Sequence, residues 1–130
     1  MEKNSVKAYQ EFSEERFTKR IIYKKGETTA FVLNFMPGQQ LPVHKHPGTE
    51  VYLYVVTGTG TFIVDGQETP VSEADLVHVG GDEELAFNNN GSEPVSLYVV
   101  LSKVPSEQYA KNTIIKRKGS KVAALFALMA

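Results

Sequence analysis

Gly38 to Gly60 reads GQQLPVHKHPGTEVYLYVVTGTG, and the rest of the chain is best read outward from it. Val51–Thr57 is rich in β-branched and aromatic residues and lies between Pro47-Gly48 and Gly58, which is a strand signal. Upstream, His44 and His46 stand at i and i+2. On a strand that spacing puts both side chains on one face, with Cα atoms about 6–7 Å apart. Both imidazoles can then reach one ion, and Glu50, four residues beyond His46, is a carboxylate close enough to complete three ligands. Two imidazoles and a carboxylate suit Mn, Fe, Ni, Cu or Zn, with positions left for water or substrate.

Short runs of the same kind extend in both directions. Ile21–Tyr23, Thr29–Met36, Thr61–Val64, Leu76–Val79, Leu85–Phe87 and Val95–Leu101 are each bounded by Gly, Pro, Asn or Asp, the pattern of an all-β sandwich or barrel. Asp65-Gly66 predicts a two-residue hairpin turn, and Asn88–Gly91 a second turn. The expected organisation is a lead-in over residues 1–19, a β-barrel over 20–104 and a tail over 105–130. Ser106–Lys111 is compatible with the start of a short helix. The basic cluster Lys116, Arg117, Lys118 and Lys121 reads as a solvated turn before the apolar end, and Val122–Ala130 (VAALFALMA) as a segment that packs on the barrel or on a partner subunit.

Composition narrows the chemistry. In 130 residues, 14 Lys and Arg stand against 15 Asp and Glu, a net charge of −1. That balance lacks the footprint of a general nucleic-acid or anionic-membrane binder. With no cysteine, disulfides, thiolate metal sites and cysteine nucleophiles are excluded. There is no nucleophile elbow, P-loop or dinucleotide fingerprint. The charged N-terminus has no apolar leader, and nine apolar residues at the end fall far short of the ~20 a spanning helix needs. A soluble cytoplasmic protein is the expectation.

The Gly38–Gly60 segment resembles the first motif of the cupin superfamily: glycine, five residues, H-x-H, three or four residues, glutamate, six residues, glycine. ADLVHVGGDEELAFNNN (Ala74–Asn90) resembles the second: glycine, five residues, proline, x, glycine, two residues, histidine, three residues, asparagine. The resemblance implies a double-stranded β-helix, or jelly-roll barrel, commonly a homodimer. It also implies a divalent transition metal in the barrel mouth, held here by His44, His46 and Glu50, and a small-molecule ligand.

Two departures bear on that implication. Glu50 fits when counted forward from His46, but seven residues rather than six separate it from Gly58, so Val51 takes the slot when counted back. A one-residue slip turns a strand side chain to the opposite face, unless a bulge absorbs it. In the second motif Ala74, Gly80 and Asp82 replace glycine, proline and glycine, Leu85 stands where the histidine belongs, and Asn89 is retained. His78, seven residues before that slot, reads as a surface or sheet-facing residue. Tyr52 and Tyr54 share the parity of Glu50 and, with Leu85 and Asn89, are candidates to line the cavity. Asp82–Glu84 reads as a solvated rim loop. Two functions stay open: a metal-dependent cupin, of dioxygenase or isomerase type if it is an enzyme, or a non-catalytic barrel that has lost the metal and binds a sugar or organic acid.

Overall fold

A computed structural model describes residues 1–104, so the expectations for the tail lie outside the described residues. Nine strands follow a short 3₁₀ turn at Val6–Tyr9: β1 (Thr18–Lys25), β2 (Thr28–Phe35), β3 (Gln40–His44), β4 (Thr49–Thr57), β5 (Thr59–Val64), β6 (Gln67–Ser72), β7 (Leu76–Val79), β8 (Leu85–Asn88) and β9 (Val95–Lys103). They form a five-stranded sheet in the order β1-β2-β9-β4-β7 and a four-stranded sheet in the order β3-β8-β5-β6. All pairings are antiparallel, and the two sheets face each other as a double-stranded β-helix. The strand runs read from the sequence are all present. The two additional strands, β3 and β6, lie at the edges of the smaller sheet.

Alternation along each strand builds the core. Phe31, Leu33 and Phe35 of β2, Val51, Leu53 and Val55 of β4, and Val95, Leu97 and Val99 of β9 enter it from the larger sheet. Phe62, Val71, Leu85 and Phe87 enter from the smaller one. The Phe87 ring lies between those of Phe35 and Phe62, with centroids 5.0 and 4.8 Å away, and Phe17 stacks on Phe35 at 5.2 Å. Fully burying side chains of this size contributes about 1.5–3 kcal/mol each.

The outer face of the larger sheet is covered on one side by the lead-in. Asn34 and Ser96 point outward yet are fully buried. The Ser96 hydroxyl donates to Asn34 Oδ1 (2.7 Å), and the Asn34 amide donates to the Tyr9 carbonyl (2.8 Å) and to Thr18 Oγ1 (3.1 Å). Gln10 Nε2 donates to Ser96 Oγ at 3.1 Å. Buried polar groups that are fully paired hold one geometry, and these tie residues 9 and 10 across β2 and β9.

Turn chemistry is as the sequence requires at Asp65 and Gly66, whose φ of 51° and 81° suit a tight hairpin. Ala74 is less comfortable. It occupies the place of the second motif's first glycine and keeps a positive φ of 77°, which L-residues with a Cβ disfavour by about 1–2 kcal/mol. Its amide donates to the Val55 carbonyl (2.8 Å), so the conformation joins the β6–β7 turn to β4. Ala74→Gly is expected to raise stability by about 1 kcal/mol, the relieved strain exceeding the added unfolded-state entropy. Urea denaturation measures it, and an unchanged or lower midpoint would show that Ala74 is unstrained.

Candidate functional site at the barrel mouth

His44 ends β3 and lies opposite Leu85 of β8, so it shares the inward-facing side of that pair. His46 follows in the loop to β4. The two rings meet edge to face with centroids 4.5 Å apart. His44 Nδ1 lies 2.7 Å from the Pro42 carbonyl, an arrangement that protonates Nδ1 and leaves Nε2 as a lone pair in the neutral ring. Backbone bonds fix the His46 loop: its amide donates to the Gly81 carbonyl (3.1 Å), and the Thr49 amide donates to the His46 carbonyl (3.0 Å). A Cβ at Gly81 would strike the carbonyl oxygens of His46 and Thr49, so the loop approaches as closely as it does because residue 81 has no side chain.

Lys19, whose charge reaches His46, was not singled out from the sequence. It pairs with Leu33 across β1 and β2, on the core side of an edge strand, yet it is exposed, with its ammonium 4.5 Å from the centre of the Phe31 ring. Partial burial, then the neighbouring His44 and then the charge of Lys19 hold the His46 imidazole below its usual range. The available signal was alternation in TKRIIYKK, which turns Lys19 to the same face as Ile21.

Glu50 is not brought to the pair. Along β4, Val51, Leu53 and Val55 are buried in the core, so Glu50, Tyr52 and Tyr54 lie on the outer face. The irregularity in this strand falls between Val55 and Thr57, beyond the point where it could reverse the parity of Glu50. Val51 therefore holds the inward slot. Glu50 Oε1 instead lies 2.5 Å from Nε2 of His78, whose ring sits 5.1 Å from that of Tyr52. His78 is sheet-facing and half-exposed, on the outer face.

The remaining candidates are likewise structural or outward-facing. Leu85 is 2% exposed and packed into the core. Asn89 is buried and spans the β8–β9 loop: its amide donates to the carbonyls of Phe35 (3.0 Å) and Glu93 (2.9 Å), and its carbonyl accepts from Gly91 N (3.1 Å). Tyr52 and Tyr54 open to the outside of the sheet rather than to the barrel interior. In the Asp82–Glu84 loop, Glu83 accepts from the Gly80 amide at 2.8 Å.

A two-sheet antiparallel barrel with a histidine pair at one end is a double-stranded β-helix protein with its polar groups at the mouth. A family model described as "Cupin domain" matches residues 31–101, more than half of the chain, and the chain belongs to that family. Auxin-binding protein 4 of Zea mays is 27% identical over 104 residues, covering 72% of this chain and 50% of that protein. An oxalate-binding protein of Thermotoga maritima is 26% identical over 65 residues, covering 50% of this chain and 54% of that one. The chain thus spans about half the length of the relatives it matches. Among solved structures, TT1209 from Thermus thermophilus superposes with a TM-score of 0.76 at 21% identity, over 81% of this chain and all of that one. A double-stranded β-helix protein from Klebsiella pneumoniae gives 0.75 at 20% identity, over 79% and 90%. These likenesses show the fold.

The donor set does not fit the metal centre implied by the motifs. A tight transition-metal site needs three or four protein donors, and the mouth has two imidazoles, with Val51 and Leu85 in the other two slots. Among the described residues no group of three or more His, Cys, Asp or Glu side chains could hold a metal ion. Nor, among them, is any helix long and apolar enough to cross a membrane.

A pH dependence follows from His46. Its folded-state pKa lies below the 6.5 of an unperturbed imidazole. As pH falls below about 6.5 the unfolded chain takes up the proton first, so stability is lost as pH drops from there through the folded value. Urea midpoints at pH 7.5 and 5.5 are expected to fall more in the wild type than in His46→Gln. Equal falls would show that His46 titrates alike in both states.

Proposed function

We propose that this cupin is a non-catalytic binding barrel that takes a small hydroxylated organic acid, such as a sugar acid, at its mouth. The observation that carries this is the edge-to-face histidine pair, whose protein-held metal partners are missing, with the charge of Lys19 acting on His46. Lys19 supplies a fixed positive charge for the carboxylate, and such charge-assisted contacts are roughly twice as strong as neutral ones. His44, with Nδ1–H committed to Pro42, offers Nε2 as an acceptor for a ligand hydroxyl. His46, held neutral by its surroundings, supplies a second polar contact without an opposing charge. Val51 and Leu85, packed into the core in the other two slots, leave few groups for chemistry. The auxin-binding and oxalate-binding proteins to which the chain is similar are consistent with a small acid as the ligand.

A second reading is favoured by one observation: the free Nε2 of His44 and a ring separation of 4.5 Å let the pair bracket one divalent ion. The ligand's own oxygens would then complete the coordination. A homodimer and a cytoplasmic location, both implied by resemblance and composition, are compatible with either reading.

Isothermal titration of EDTA-treated protein with D-glucuronate tests the proposal, with oxalate as the comparison lacking a hydroxyl. Binding is expected without metal. It should be lost in His44→Ala, weakened about tenfold (~1.4 kcal/mol) in Lys19→Ala, and unchanged in Glu50→Gln. Binding that requires added Mn or Zn would replace this reading with the second, and no binding under either condition would overturn both.

A further inference from the structure

Asn90-Gly91 is the one asparagine–glycine pair in the chain, and it sits in the loop between β8 and β9, residues 89–94. Asparagine is a chemically labile residue, and most of all before glycine, whose nitrogen carries no neighbouring Cβ to hinder it as it closes on the carboxamide carbon. In that reaction the Gly91 nitrogen forms a bond to Asn90 Cγ and the Cγ–Nδ2 bond breaks. The Gly91 proton leaves with Nδ2 as ammonia, and a five-membered imide remains. Water then opens either C–N bond of the imide, giving aspartate by one route and isoaspartate by the other. Water is the only co-reactant, so the chain carries everything else the modification needs.

The folded loop holds both reacting groups out of reach of each other. The Gly91 amide donates to Asn89 Oδ1 (3.1 Å), and the Asn90 side-chain amide donates to Thr61 Oγ1 on β5 (3.0 Å). A nitrogen whose hydrogen is engaged keeps its proton, and a carboxamide tied to β5 is not free to swing onto that nitrogen. Asn89 is itself fastened on every side and only 1% exposed. Its side-chain amide donates to the carbonyls of Phe35 and Glu93. Its backbone amide donates to the Gln39 carbonyl (3.0 Å), and its carbonyl accepts from the Gly38 amide (2.8 Å). Asn90, by contrast, is exposed to solvent. Gly91 is also a packing choice, since a Cβ there would come within 2.8 Å of Thr59 Oγ1. The turn thus keeps a labile pair and shields it with the residue beside it.

We propose that Asn90 is a deamidation site, closed in the folded barrel and opened by release of the β8–β9 loop. The change is one-way: ammonia is lost, a negative charge is added three residues before Glu93, and isoaspartate lengthens the backbone so that Gly91 no longer meets Asn89 Oδ1. The inference is independent of what the mouth binds. Proteolysis after Glu84 and Glu93 isolates residues 85–93, whose mass and fragmentation locate the modified asparagine. At mildly alkaline pH, conversion at Asn90 is expected to be about tenfold or more slower in the folded full-length protein than in the same chain in guanidinium chloride, because only the opened loop reacts. Thr61→Val, which frees the Asn90 amide, is expected to raise the folded rate several-fold and leave the denatured rate unchanged, with a urea transition showing that the variant folds. Gly91→Ala is expected to lower the denatured rate. Equal rates in the folded and denatured wild type, or a folded rate unmoved by Thr61→Val, would overturn the proposal.

Discussion

Val51, Leu53 and Val55 enter the core as a set, and the outward placement of their neighbours follows. Side chains in a strand alternate without exception until a bulge intervenes, and the irregularity of β4 comes only after Val55. Burying three aliphatic side chains, at about 1.5–3 kcal/mol each, outweighs what a single exposed carboxylate could gain by turning inward unpaired. Glu50 is thereby committed to the outside, where His78 meets it, and the mouth is left with two imidazoles. Leu85 repeats the effect on the smaller sheet: it packs opposite His44 and makes that wall apolar.

The barrel thus has two distinct surfaces. At the mouth, His44 and His46 meet beside a loop held by Gly81, whose missing side chain permits the close approach. On the outside, the larger sheet presents Tyr, Leu and Val side chains that the lead-in covers only in part. Paired polar groups at Asn34 and Ser96 set where that cover ends. The first surface suits a small polar ligand.

Most of the fold was legible because strand cores rich in Val, Tyr and Phe are bounded by strong turn residues. β3 and β6 carried no strand pattern of their own, for a physical reason. Both are edge strands, where exposed polar residues and Pro42 or Pro70 are tolerated, so QLPVH and QETPVS lack the expected pattern. The histidine pair was legible from its spacing, although β3 ends at His44 and His46 follows in the loop rather than on the strand. The side taken by Glu50 was not, since two counts through one segment disagree by a residue and only core packing decides between them. Asn89 kept its motif position for a different reason, as a clamp on a loop. Lys19 was hidden because an exposed lysine on an edge strand carries no signal of its place over Phe31.

The sidedness of β4 can be read directly, because the chain has only three histidines. Imidazole ¹⁵N spectra of wild type and Glu50→Gln, recorded at one pH, compare all three rings. Movement of the His78 Nε2 resonance with His44 and His46 unchanged is the expected result. Movement of the His44 and His46 resonances with His78 unchanged would place Glu50 at the mouth and contradict the outward register.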